Sequence, residues 1–181
     1  MRALLAAIVI ATLAVTATTQ AATLPRKSPE FTIAPPGRTA IPLSALRGQV
    51  VVVEFLFINS EHCRRVAQML NRLYGDLGGQ GFQPAGVVFD PPGMEGTGGQ
   101  LLAAVAANLK LAYPLGYASK QQVDAYLSRD SHEVLNIPQL VVIDRTGTIR
   151  AVSGGPGGDP TLEDEGSLRS LIRALLRENS R

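Results

Sequence analysis

The most restrictive feature of this sequence is a run of β-branched and aromatic residues from Val50 to Ile58 that leads directly into a helical pattern. A strand that is apolar on both faces is typical of a parallel sheet covered by helices. Asn59 and Ser60 come next, and both are favourable N-cap residues. Apolar residues then recur at three- and four-residue spacing as far as Leu77, before Gly78-Gly79. The segment predicts a buried strand followed by an amphipathic helix.

The pattern downstream extends this unit into an α/β sandwich. Gly81 to Phe89 predicts a second buried strand, and Leu101 to Leu109 predicts a helix after a glycine-rich loop over residues 91–99. Because strand, helix and strand follow in order, we expect a parallel pair with a right-handed crossover. The predicted fold class is therefore α/β, with a mixed central sheet flanked by helices.

The flanking segments predict an N-terminal β extension, a short helix, an antiparallel hairpin and a closing helix. Ser119 and Gln122 form a capping box that opens the short helix. Thr161 is expected to cap the closing helix, with acidic residues in its first turn. The β extension is predicted at residues 31–33 and 41–43, and the short helix at 119–127. The hairpin is predicted at 138–152, and the closing helix from 161 onward.

The first 21 residues have the pattern of an export signal. Arg2 supplies a positive start, Ala3 to Val15 form an apolar run, and Thr19-Gln20-Ala21 offers small residues near a cleavage site. The apolar run is too short for a typical membrane span, although the imperfect cleavage site leaves an uncleaved anchor as the alternative. We expect a signal peptide over residues 1–21, a linker over 22–30, one domain over 31–181, and a periplasmic or secreted product.

The charge balance argues against nucleic acid as a partner. With Arg2 assigned to the signal, 16 basic and 15 acidic residues remain, and such a near-neutral chain lacks the positive surface that nucleic acid requires. A membrane partner is expected only if the signal stays uncleaved. The sequence carries no indication of the oligomeric state.

The chain contains a single cysteine, Cys63. Exported proteins commonly use disulfides, but one cysteine cannot form an intramolecular bridge. Its thiol is either buried and inert or available to another molecule. Because Cys63 lies on the apolar stripe of its helix, burial is expected to raise its pKa. This favours a structural cysteine, while a reactive thiol stays open as the alternative.

Two segments resemble the thioredoxin-like superfamily, in the redoxin/TlpA branch of thiol-disulfide oxidoreductases, which are relatives of the AhpC/TSA redoxins. Gly48 to Cys63 is similar to the active-site strand and helix of that branch. Ile137 to Ile149 is similar to its cis-proline strand and the hairpin that follows. The resemblance extends over residues 29–178 and implies a thioredoxin-like sandwich.

In that branch a Cys-x-x-Cys motif opens the helix, and its two thiols attack and then resolve a substrate disulfide. The resemblance places Ser60 at the first position and Cys63 at the second, with Glu61 and His62 between them. His62 stands where some members have histidine, and Glu61 replaces a proline. Since serine cannot form a disulfide, the dithiol cycle is expected to be lost. At most, Cys63 would exchange with exported proteins or with small-molecule thiols and disulfides.

Two other functions stay open. A cis Ile137–Pro138 bond opposite the helix start would shape a groove, bordered also by Glu61, in which a non-catalytic module could bind extended exported polypeptide. Thiol peroxidases resemble this fold and place their cysteine three residues after Thr or Ser, as in Ser60-x-x-Cys63. The proline that they carry four residues before that Thr or Ser corresponds to Leu56, so half of that motif is missing.

A metal site would have to combine His62, His132 and Cys63. Imidazole and thiolate are ligands for copper and zinc, but no ligand-pair motif accompanies them. Two partly exposed histidines without a metal are therefore expected. We predict neither a metal nor a cofactor.

Overall fold

The computed structural model describes residues 23–90, 97–130, 134–155 and 157–178. The predicted signal peptide, His132 and residues 91–96 of the predicted glycine-rich loop lie outside these ranges. Within them, none of the helices combines the length and the apolar character needed to cross a membrane.

A six-stranded mixed sheet lies at the centre of the described part of the chain, beside a separate two-stranded antiparallel pair. The strands are β1 (Arg26–Lys27), β2 (Thr32–Ile33), β3 (Ile41–Pro42), β4 (Val50–Leu56), β5 (Phe82–Val88), β6 (Leu115–Tyr117), β7 (Gln139–Ile143) and β8 (Thr148–Val152). The order in the sheet is β1-β8-β7-β4-β5-β6. β4 runs parallel to β5 and antiparallel to β7, which confirms the predicted mixed sheet.

Helices cover the sheet, and side chains from β4 enter the core on both of its faces. The helices are α1 (Glu61–Leu77), α2 (Thr97–Asn108), α3 (Lys120–Leu127) and α4 (Glu165–Arg177), with 3-10 helices at Leu43–Leu46, Gly78–Gln80 and Pro160–Glu163. Val51 and Val53 of β4 belong to one apolar cluster, whereas Val50 and Val52 belong to another that includes residues of α1 and α4. This alternation is the reason that the strand is apolar along almost its whole length.

Several local predictions are confirmed. The strand and helix around Ser60 form as β4 and α1, and residues 139–152 form an antiparallel hairpin. Ser119 and Gln122 make both hydrogen bonds of the capping box at α3. These elements rest on short-range patterns, which explains why the sequence alone identified them.

The start of the closing helix was predicted wrongly. Thr161 does not cap this helix but lies in the 3-10 helix Pro160–Glu163. The backbone N–H of Thr161 donates a hydrogen bond to the side chain of Asp159. α4 begins four residues later, with Asp164 as the N-cap that accepts from the Ser167 N–H at 2.9 Å. An Asp carboxylate competes well with a Thr hydroxyl for this role.

Two further boundaries differ from expectation. α2 already includes residues 97–99, which the sequence indicated as loop. Within the predicted linker, Arg26–Lys27 form the edge strand β1, which pairs antiparallel with β8. Neither feature follows from local sequence, because the glycines of residues 97–99 disfavour helix and β1 depends on a distant strand.

Candidate functional site

The candidate site lies where the carboxyl end of β4 meets the start of α1. Ser60 is the N-cap of α1, and its Oγ accepts a hydrogen bond from the backbone N–H of Cys63 at 3.2 Å. This bond satisfies one of the free donors at the helix start. Ser60 therefore serves as a cap, and its side chain is partly exposed.

Cys63 is completely buried, with 0% of its surface exposed. It lies in a third apolar cluster, the Cys63 cluster, with Leu56, Ile58, Val88, Leu102 and Leu115, and Ile137 packs against this cluster. Burial raises the pKa of the Cys63 thiol, while the hydrogen bond from Ser60 acts in the opposite direction. The site therefore holds a neutral thiol out of contact with solvent.

Glu54 is the site residue that the sequence analysis missed. Its side chain is fully buried on β4, and neither carboxyl oxygen has a hydrogen-bond partner among the described residues. Burial raises the pKa of Glu54 well above 4.5, and the charge of Glu163 adds to the shift. The carboxyl also contributes to the raised pKa of Cys63. The sequence signal for Glu54 was a single acidic residue inside the apolar run 50–58.

The exposed start of α1 carries Glu61 and His62. The His62 Nε2 atom lies 2.8 Å from Glu163 Oε2, so this contact links α1 to the 3-10 helix Pro160–Glu163. Glu61 pairs with Arg64 on the same helix. The polar partners of both residues are thus surface groups, consistent with solvated positions at the helix start.

The segment before β7 forms the other side of the site. The Ile137–Pro138 peptide bond is cis, and β7 begins at Gln139, which pairs with Phe55 of β4. In the described part of the chain, no hydrogen bond reaches the backbone of Ile137. Val134 is 90% exposed. The structure therefore brings Ile137 against the Cys63 cluster and leaves its backbone polar groups open.

Metal binding finds no additional support in the described ranges, where no group of three His, Cys, Asp or Glu side chains is arranged to hold an ion. His132 lies outside those ranges. The expectation that the site holds no metal stays a prediction.

Comparison with known proteins adds a family and a fold. The profile of the AhpC/TSA family matches residues 25–152. Protein DipZ from Mycobacterium tuberculosis and from Mycobacterium bovis is 28% identical over 143 residues, which span 79% of this chain but only 19% of DipZ.

Two solved structures show the same architecture. A thiol:disulfide interchange protein of the thioredoxin family from Chlorobium tepidum is 17% identical, with a TM-score of 0.66 over 86% of this chain and 99% of that one. The thioredoxin domain of a thiol-disulfide oxidoreductase from Bacteroides vulgatus is 19% identical, with a TM-score of 0.63 over 83% and 99%. These likenesses show that the fold is thioredoxin-like, as the sequence resemblance implied.

Proposed function

The chain belongs to the AhpC/TSA family, and we propose that it is an exported relative of the thiol-disulfide oxidoreductases that has lost the dithiol cycle and binds extended polypeptide. One observation carries the proposal. The only thiol of the chain, that of Cys63, has no exposed surface. The export is inferred from the sequence pattern of residues 1–21.

Thiol-disulfide exchange needs a thiolate that can reach a disulfide of another molecule. Cys63 is unsuited on both counts, because it is buried and because burial raises its pKa. A second thiol to resolve a mixed disulfide is also missing, since Ser60 stands three residues earlier. These facts support a function that does not use the thiol, and they rank monothiol exchange second.

A thiol peroxidase would face the same obstacle. Peroxide must reach the cysteine, and the thiolate is the nucleophile that it oxidises. The buried, neutral thiol of Cys63 and the leucine at position 56 both weigh against this activity. We therefore rank peroxidase activity below polypeptide binding.

The proposed binding surface is the 134–137 segment together with the partly exposed Ser60. An extended peptide can add to open backbone groups as an extra strand, while its side chains contact apolar residues beside the edge. Ile137 offers free backbone groups, and Val134 offers an exposed apolar side chain. The proposed ligand is an unfolded segment of an exported protein.

Binding of a reduced, carboxymethylated and fluorescently labelled polypeptide should survive Cys63→Ala and be weakened by Val134→Lys. Carboxymethylation removes every thiol and disulfide from the probe, so only non-covalent binding is measured. Loss of one buried aliphatic contact corresponds to about 1.5–3 kcal/mol, so we expect the dissociation constant to rise about tenfold or more. Fluorescence anisotropy would measure this change.

Leu101→Lys is the matched control, because Leu101 is the other large apolar side chain that is exposed among the described residues. It lies on α2, and its substitution should leave the affinity unchanged. A glutathione mixed disulfide formed on the native protein would instead support monothiol exchange. If none of the variants, nor the parent protein, binds the polypeptide, the proposed function is wrong.

A further inference from the structure

A surface pocket lies at the end of the sheet opposite Cys63. It is open to solvent on one side, is lined by Gln80, Arg173, Leu176 and Arg177, and has a volume of about 360 Å³. The backbone N–H of Val50, the first residue of β4, bonds to the Gly81 carbonyl next to Gln80. The pocket is therefore near the amino end of β4, whereas Cys63 follows its carboxyl end.

A third arginine, Arg145, lies beside this pocket in the turn between β7 and β8. The Arg145 Nη2 atom donates to the Gln80 carbonyl at 3.4 Å. A Cβ atom placed on Gly81 would lie 3.6 Å from Arg145 Nη2 and 3.9 Å from Leu176 Cδ2. Because Leu176 lines the pocket, the guanidinium of Arg145 is next to the pocket wall. The Arg145 Nε is buried and has no hydrogen-bond partner in the described ranges.

The positive charge of this pocket is not balanced by the acidic side chains around it. Asp76, next to Gln80 in the fold, pairs with Arg169 at 2.7 Å, and Glu178 pairs with Arg150 at 2.6 Å. Within the described residues, neither Arg173 nor Arg177 nor the adjacent Arg145 has an ion pair.

The helix dipole explains only part of this arrangement. Cations near the carboxyl end of a helix are favourable, which suits Arg173 and Arg177 on α4. However, like charges four residues apart repel each other, and Arg145 comes from a different element. Two arginines in the pocket wall that have no ion pair among the described residues, with a third arginine beside that wall, therefore indicate an anionic ligand.

We propose that this pocket, with Arg173 and Arg177 in its wall and Arg145 beside it, binds a phosphate group, carried either by a soluble phosphate ester or by a phospholipid headgroup. Guanidinium groups match the oxygens of phosphate with paired, charge-assisted hydrogen bonds. Arg173 and Arg177 in the pocket wall supply the donors, and the guanidinium of Arg145 beside that wall adds positive charge. This binding is independent of the polypeptide surface at the other end of the sheet.

Thermal unfolding of the whole protein with inorganic phosphate tests the proposal. A ligand that binds only the folded state raises the melting temperature with concentration, and we expect phosphate to do so beyond sodium chloride of equal ionic strength. Arg177→Gln and Arg173→Gln should each weaken phosphate binding about tenfold, as expected when one charge-assisted bond is lost. Arg38→Gln, an exposed arginine in the turn before β3, is the matched control and should change nothing.

Co-sedimentation with phosphatidylcholine vesicles containing phosphatidylglycerol distinguishes the two sources. Arginine-dependent binding to vesicles, without a response to inorganic phosphate, would assign the site to a lipid headgroup; the reverse would assign it to a soluble phosphate ester. The proposal is overturned if neither probe binds, or if both arginine variants bind as well as the parent protein. Because Arg173 and Arg177 are exposed, these variants are expected to fold even if Arg145→Gln does not.

Discussion

The Glu54→Gln variant should gain stability relative to the parent protein as the pH rises above about 4.5. The pKa of Glu54 is raised well above its ordinary value of 4.5 because the carboxyl is fully buried. Above pH 4.5 the unfolded chain releases this proton while the folded chain keeps it, so the folded state binds more protons. The free energy of unfolding of the parent therefore falls with pH, by at most about 1.4 kcal/mol per pH unit.

Glutamine cannot ionise, so the free energy of unfolding of the variant should lack the fall with pH that Glu54 causes in the parent. Urea unfolding of both proteins across a series of pH values would measure it, and the difference between them cancels the titration of distant groups. Glu61→Gln is the matched control, since it makes the same substitution at an exposed carboxyl. Parallel stability curves for the parent and Glu54→Gln would show that Glu54 ionises normally.

Ser60→Cys is expected to give the protein a two-thiol reductase activity that the parent, with its single cysteine, cannot have. Residues three apart in a helical turn have their Cβ atoms about 5–6 Å apart, close enough for small shifts to allow a disulfide. The new thiol would occupy the partly exposed N-cap of α1, where the helix start lowers a thiol pKa. Cys63 is already in the buried position that suits a resolving thiol.

Oxidised glutathione would supply the oxidant for the bridge to Cys63. A mass loss of two hydrogens would report the disulfide, and reduction of insulin in the presence of dithiothreitol would report activity. Combining Ser60→Cys with Cys63→Ala is the matched control, because it keeps the exposed thiol and removes the resolving one. If Ser60→Cys stays fully reduced and inactive, the correspondence of Ser60 with the attacking position is wrong.

The sequence was sufficient for the elements whose signals are local. Each of these signals spans only a short stretch of the chain. They are the apolar run that forms β4, the apolar stripe of α1 and the capping box at α3. The closing helix shows the limit of such signals. Thr161 and Asp164 are both good N-caps, and only the intervening 3-10 turn decides between them.

The features that could not be predicted depend on contacts between distant residues. Periodicity placed Glu54 in a buried strand but could not show that its carboxyl would have no partner. Arg145 and Arg177 are far apart in the chain, and the packing of α4 beside the β7–β8 turn is what brings them to the same end of the sheet. Similarly, β1 forms because β8 offers an edge for pairing. The helical stripe predicted that Cys63 is buried. That its side chain is fully buried depends on the surrounding apolar residues of the Cys63 cluster, which come from distant parts of the chain.

Alkylation of Cys63 with iodoacetamide, before and after unfolding in urea, tests the central claim most directly. The Ser60→Cys variant provides the positive control, since its added thiol should be labelled in the native state. We predict that the parent protein is labelled only when it is unfolded, because the Cys63 thiol is buried and its pKa is raised. Labelling of the native protein at the rate of a free thiol would contradict this account and would return the site to thiol chemistry.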